Sequence, residues 1–183
     1  MEIKINKTMI KLVKGDITDQ ETEAVVNAAN PTLLGGKGVD GAIHSKGGPQ
    51  ILARCKEIRR EKGDLPTGEA VITTAGNLKA EYVIHTVGPV WQGGNNYEDE
   101  LLAKAYVNSL KKAAENGIKT ISFPSLSTGA YGFPTERAAL ISCRAVGRFL
   151  QYHDFFTEIR FVLFSDRDYA IYLKAWENTL KGS

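Results

Sequence analysis

The chain has 183 residues, 43% of them hydrophobic and 24% charged, which predicts one soluble globular domain spanning 1–183. Its 23 Lys and Arg against 21 Asp and Glu leave a net charge of +2, too small an excess for a nucleic-acid or membrane partner held by bulk electrostatics. The two cysteines, Cys55 and Cys143, lie far apart, and the three histidines, His44, His85 and His153, do not cluster, so no disulfide framework is expected, a zinc ribbon is excluded and no metal site is predicted.

The first residues, Met1–Lys7, carry no apolar core segment of the kind a signal peptide needs. No apolar run approaches the ~18 residues of a membrane span, and the expected address is the cytoplasm. Short apolar runs predict strands at Met9–Val13 and Ala24–Asn27. Runs rich in Val, Ile and Thr predict two more at Glu69–Thr74 and Tyr82–Val87, and Thr120–Phe123 and Glu158–Phe164 complete the set. Between them, Pro49–Lys62 places Ile51, Leu52, Cys55 and Ile58 at helical spacing. Tyr97–Asn116 does the same with Leu101, Leu102, Ala105, Leu110 and Ala113, and Gly117 suits its end. Thr135–Tyr152 and Tyr169–Leu180 are the last two helical segments. Apolar strands alternating with helices predict a three-layer α/β/α domain around a central mixed sheet. In such sheets ligands bind at the carboxyl ends of the strands, where loops lead into helices.

Three loops lie at that edge. Gly15-Asp16-Ile17-Thr18 follows the first strand. Asp16 there suits a helix N-cap or an Asx turn; a carboxylate in the same place can also accept from an exocyclic amine, as adenine offers. The second loop runs from Asn27 to Gly41, and Gly36, Gly38 and Gly41 spell GxGxxG. Eight residues separate Asn27 from Gly36, and no strand follows the helix until Glu69, so the compact βαβ unit of a dinucleotide fingerprint is missing. A Walker A loop fails too, because Gly38 follows Lys37. A glycine cluster opening a helix still exposes N–H groups that favour an anion; the alternative is a flexible surface loop. The third loop, Pro124 to Pro134, is rich in Gly, Ser and Thr but has no GxSxG, so Ser127 is not an elbow nucleophile. It reads as a second set of backbone donors, and two such loops facing each other would clamp a diphosphate. Tyr131 is either a core aromatic or a platform for a sugar face. Phe164, at the end of the last predicted strand, is either core or a stacking surface for a nucleobase.

These motifs resemble the macrodomains, and among them the MacroD-type ADP-ribosyl hydrolases. The matching text is Gly15-Asp16-Ile17-Thr18, then Asn27-Ala28-Ala29-Asn30 through Gly38-Val39-Asp40-Gly41-Ala42-Ile43-His44. It continues with His85-Thr86-Val87-Gly88-Pro89-Val90-Trp91 and Ser127-Thr128-Gly129-Ala130-Tyr131-Gly132-Phe133-Pro134, so the likeness spans roughly Ile10 to Leu180. The resemblance implies that Asp16 binds the adenine amine with the backbone of Ile17 beside it, and that Phe164 stacks on the adenine. It implies that Gly36, Gly38 and Val39, with Ser127, Thr128, Gly129, Ala130 and Tyr131, wrap the diphosphate. Asn30 would hold the distal ribose and Asp40 would be the catalytic carboxylate, the two forming the catalytic pair. The chain departs from the usual run of four glycines, having Gly35-Gly36-Lys37-Gly38, and Ser45-Lys46-Gly47-Gly48 stands where Ala-Ala-Gly is more usual.

The activity so implied is ester hydrolysis at the distal ribose, without cofactor or metal. The substrates would be O-acetyl-ADP-ribose and proteins carrying mono-ADP-ribose on Asp or Glu. Asp40 would orient and deprotonate a water, alone or with the substrate's own phosphate, an assistance worth ~10²–10⁴ in rate. The competing expectation is a non-catalytic ADP-ribose reader, which often lacks one of Asn30 and Asp40; both are present here. A single-stranded nucleic-acid binder would need a basic groove with interleaved aromatics, which the near-neutral charge does not supply.

Overall fold

A computed structural model of the chain describes residues 1–182. Its strands are β1 (Glu2–Ile5), β2 (Thr8–Lys14), β3 (Ala24–Ala28), β4 (Ala70–Thr74), β5 (Tyr82–Thr86), β6 (Thr120–Phe123) and β7 (Glu158–Leu163). Its helices are α1 (Gly38–Gly47), α2 (Pro49–Lys62), α3 (Glu98–Glu115), α4 (Thr135–Tyr152) and α5 (Asp166–Lys181), with one short 3-10 turn at Ile17–Asp19. The strands form one sheet in the order β1-β2-β7-β6-β3-β5-β4. The five inner strands run parallel, while β1 and β4 pair antiparallel at the two edges. The expected mixed sheet is therefore present.

Alternating side chains divide the core into two layers. On one face Ala24, Val26, Ile84 and Leu163 join residues of α3, α4 and α5. On the other, Val25, Val71, Val83 and Val162 join Ile43 of α1 and Ile51, Cys55 and Ile58 of α2. The two-residue period of a strand produces this split. At the centre of the larger layer the ring of Phe161 lies 5.8 Å from Tyr172 and 5.6 Å, edge to face, from Trp176. Truncating such a fully packed ring costs about 3–5 kcal/mol.

Several predicted boundaries need correction. β1 was not expected, because its sequence alternates Glu2 and Lys4, both exposed, with half-buried Ile3 and Ile5, the pattern of a solvated edge. Glu69 and Val87 fall outside β4 and β5. Phe164 does not end a strand: β7 stops at Leu163, and Phe164 is 82% exposed in the bend that follows, so it is not a core residue. α5 begins at Asp166 rather than Tyr169, because Ser165 caps it with its hydroxyl oxygen accepting from the N–H of Asp168 at 3.1 Å.

Candidate functional site

The carboxyl ends of β3, β5 and β6 open onto a cavity of about 360 Å³. Asn30, from the loop after β3, lines it together with Gly36, Gly38, Val39 and Asp40 at the start of α1. Gly88, beyond β5, and Ser127, Gly129, Ala130 and Tyr131, beyond β6, form the opposite wall. Most of the residues that the sequence singled out are thus brought together. Thr128 is not among the lining residues; its hydroxyl turns back to donate to the carbonyl of Ser125 at 3.2 Å.

Both loops keep their backbone donors free. The residue before α1 is Lys37, which supplies no side-chain cap. Among the described residues, the N–H groups of Gly36 through Asp40 make no hydrogen bond, and neither do those of Gly129, Ala130 and Tyr131. Unpaired N–H groups at a helix start, together with the helix dipole, make an anion site. Two tight approaches shape the loops. A side chain at Gly41 would bring its Cβ to 2.6 Å from the Gly36 carbonyl, so only glycine lets the loop fold back onto α1. A Cβ at Gly88 would run into the hydroxyl of Ser127, which is buried without a partner. Ser127 itself has a φ of 66°, a left-handed conformation that costs ~1–2 kcal/mol for a residue with a Cβ. Strain of this kind collects at functional loops.

Asp40 sits on the floor of the cavity, 5% exposed. Its Oδ1 accepts from the amide nitrogen of Asn27 at 2.8 Å. The Nε2 of His44, one turn along α1, is 3.3 Å from the same oxygen but off the line of a hydrogen bond. Its Oδ2 has no donor in the protein and lies toward the loop, where a Cβ on Gly36 would stand 3.0 Å away. Asn30 is held by its neighbours: its amide donates to the Gly35 carbonyl at 2.9 Å and its oxygen accepts from the Thr32 hydroxyl at 2.7 Å. Burial, with the charge of Asp40 as a smaller contribution, pushes the phenol of half-buried Tyr131 above its usual value. Lys37 lines the cavity from an exposed position and makes no ion pair among the described residues. Among the described residues, no group of three His, Cys, Asp or Glu side chains could hold a metal ion.

Asp16, Ile17 and Phe164 do not line this cavity. They lie beyond the ends of the neighbouring strands β2 and β7, which are in register at Lys14 and Leu163. Asp16 does cap the 3-10 turn, its Oδ1 accepting from the N–H of Thr18 at 2.8 Å and from its hydroxyl at 2.6 Å. Its Oδ2 faces Lys46 Nζ at 3.3 Å. The Thr18 hydroxyl is the main cause that holds this carboxyl below its usual value; partial burial opposes it, and the Thr18 N–H and Lys46 assist. Ile17 itself is buried.

Sequence reasoning missed four residues around Asp40 and Asp16: Asn27, His85, Thr73 and Lys46. His85 is fully buried, and burial drives its imidazole down to about 3, with His44 adding to that shift and Asp40 opposing it. It is therefore neutral at any ordinary pH. A hint was available for Asn27 and His85, since each is a polar residue in an apolar strand at the two-residue period that points it toward α1 and α2.

The family model described as Macro domain matches residues 26–142. A macro domain-containing protein of Caldanaerobacter subterraneus subsp. tengcongensis is 63% identical over 171 residues, covering 93% of this chain and 97% of that protein. A protein of Escherichia coli strain K12 named O-acetyl-ADP-ribose deacetylase is 48% identical over 166 residues, covering 91% of this chain and 94% of its own. A solved structure, a glycine-to-valine mutant of the Oceanobacillus iheyensis macrodomain with ADPR, is 43% identical and superposes with a TM-score of 0.95 over 99% of this chain and 98% of that one. With the sheet order, the glycine loop and the cavity at the strand ends all in place, the chain belongs to the Macro domain family.

Proposed function

We propose that this protein binds ADP-ribose and hydrolyses esters at its distal ribose. The substrates are O-acetyl-ADP-ribose and proteins joined to mono-ADP-ribose through Asp or Glu. The observation that carries the reading is a buried carboxylate, Asp40, with an unoccupied Oδ2 at the foot of two loops of free N–H groups. The loops suit the diphosphate, and Asn30 suits the distal ribose. Relatives named O-acetyl-ADP-ribose deacetylase and a neighbour solved with ADPR support the same ligand. At the other end Asp16, the backbone of Ile17 and exposed Phe164 are suited to an adenine.

The chemistry follows from that placement. A water next to Asp40 Oδ2 loses a proton to it as its oxygen bonds to the acyl carbon. The bond between that carbon and the ribose oxygen then breaks, and the ribose oxygen takes a proton. The products are ADP-ribose and a carboxylate. Binding energy from the diphosphate and the adenine, remote from the reacting carbon, positions the ester. The test is to incubate the protein with O-acetyl-ADP-ribose and, separately, with a glutamate-linked mono-ADP-ribosylated protein, and to follow release of ADP-ribose. Release from either supports the reading. Tight ADP-ribose binding with no release from both would leave a reader module instead.

A further inference from the structure

Oδ1 of Asp40 is one end of a chain of hydrogen bonds that crosses three strands, β3, β5 and β4. The amide nitrogen of Asn27 donates to it at 2.8 Å. The same nitrogen lies 3.0 Å from Nδ1 of His85. An amide nitrogen has two hydrogens and no lone pair to give, so Nδ1 of His85 accepts. Nε2 must then carry the imidazole proton. It points at the Thr73 hydroxyl, 2.8 Å away, whose own hydrogen goes to the Thr74 carbonyl at 2.9 Å. The bonds run outward from the Asn27 amide, to Asp40 on one side and through His85 and Thr73 to the Thr74 carbonyl on the other, and only one tautomer of a neutral His85 satisfies them.

The orientation of the Asn27 amide has a cost. Its Oδ1 is buried with no partner, and folded proteins rarely leave such an atom unpaired. Turning the amide over would set that oxygen against the carboxylate and against the lone pair of His85. The chain of bonds therefore decides which way the amide faces. The placement also comes from the sheet. Asn27 and His85 are register partners on β3 and β5, and Thr73 stands on β4 beside them. All three share with Val25, Val83 and Val71 the face that packs on α1 and α2; Val71 is level with His85, and Thr73, level with Val83, reaches His85 diagonally.

We infer that Asn27, His85 and Thr73 are positioning residues for Asp40: they hold Oδ1 and so leave Oδ2 as the oxygen that meets the water. The inference rests on the hydrolase reading above and goes further, because it divides the two oxygens of one carboxylate between holding and reacting. His85 acts as a fixed acceptor and moves no proton during turnover. The Cys55 thiol, 3.8 Å from Nε2, stays protonated, since burial first and the charge of Asp40 second push it up to about 11; it takes no part.

The experiment compares wild type with Asn27→Ala, Thr73→Val, His85→Leu and His85→Asn, measuring ADP-ribose affinity by calorimetry and turnover of O-acetyl-ADP-ribose, with thermal melting as the check on folding. Asn27→Ala and His85→Leu should lower turnover about 10- to 100-fold, the scale of a ~1 Å misplacement at a reacting group, with affinity within about twofold of wild type. His85→Asn can place an amide oxygen where Nδ1 was, so it should regain most of what His85→Leu loses. Thr73→Val, isosteric and three hydrogen bonds removed from Asp40, should show the same split with a smaller loss, and it keeps the test open if Asn27→Ala does not fold. Imidazole nitrogen spectra should give His85 as the Nε2–H form in wild type and in Thr73→Val, and lose that preference in Asn27→Ala, which removes the donor to Nδ1. Turnover unchanged in the folded variants, or turnover and affinity falling in proportion, overturns the inference alone. A wild type that turns over neither O-acetyl-ADP-ribose nor the glutamate-linked protein overturns the hydrolase reading, and the positioning role falls with it.

Discussion

Asp16 takes its hydrogen bonds from Thr18, two residues on, and its ion pair from Lys46, with 33% of its side chain exposed. Asp40 takes its hydrogen bond from Asn27, thirteen residues back on another element, and 7% of its side chain is exposed. The two carboxylates stand at one edge of one sheet, yet one is held by its own turn and the other by the sheet's interior. A locally held, partly wet carboxylate suits recognition: it offers a charge-assisted acceptor at little cost and tolerates small shifts of its partner. A carboxylate held from below, with one oxygen committed, suits a reaction that depends on the direction of a single lone pair.

The sharpest way to break this contrast is to remove each carboxylate in turn. Asp40→Ala should lower ester hydrolysis by ~10²–10⁴, the share of a general base, while calorimetry shows ADP-ribose binding nearly unchanged. Wild-type turnover in this variant would end the assignment. Asp16→Ala should do the reverse. A hydrogen bond to a charged acceptor is worth ~1.5–3 kcal/mol, so ADP-ribose should bind about 10- to 150-fold more weakly. Equal affinity would leave Asp16 as a cap alone.

Lys46 sharpens the comparison from Asp16's side. Because the folded value of Asp16 is lowered, its contribution to stability is present above the unfolded value of ~3.9 and is lost as pH falls through the lower folded value. Affinity for ADP-ribose should thus stay level from about pH 8 to pH 5 and fall only below ~4. Lys46→Met removes one of the influences that lower the Asp16 carboxyl, so that fall should begin at a higher pH. Half-exposed Lys46 should otherwise change affinity at neutral pH by less than ~1 kcal/mol, read by titration calorimetry across a pH series. The smallest effect is expected at Lys37, which is exposed and unpaired. Lys37→Gly should alter affinity by less than ~1 kcal/mol at both low and high salt. A large loss confined to low salt would make Lys37 a phosphate ligand.

What could be read from the sequence divides along the same line. The inner strands and their order of alternation with helices were legible, because each is a nearly continuous apolar run between turn residues. The glycine loop was legible because its meaning is local, free N–H groups at a helix start, whereas the role of Asp40 came only through the family resemblance. β1 was not, since an edge strand with Glu2 and Lys4 facing water has no apolar run to show. Phe164 was placed in a strand because apolarity continues through it, while the pairing with β2 stops at Leu163. Asn27, His85 and Thr73 were invisible as a unit, because 58 residues separate the first pair and only the register of β3 with β5 joins them. Lys46 gave no signal, since nothing in its neighbourhood along the chain points to a carboxylate 30 residues earlier.

The bare start of α1 has a thermodynamic consequence. A helix whose first N–H groups have no cap is less stable at that end by about 1 kcal/mol for the missing cap alone, and its first turn should fray. An anion seated on Gly36 through Asp40 supplies what Lys37 does not, so ligand and helix complete each other. Amide hydrogens at Gly38, Val39 and Asp40 should exchange quickly with solvent in the free protein and slowly once ADP-ribose is bound, while those in the middle of α3 should not change. The melting temperature should climb with ligand concentration by ordinary mass action, about 2.7 kcal/mol of added stability at one hundred times the dissociation constant. The loop would then report its own occupancy, with no label and no turnover required.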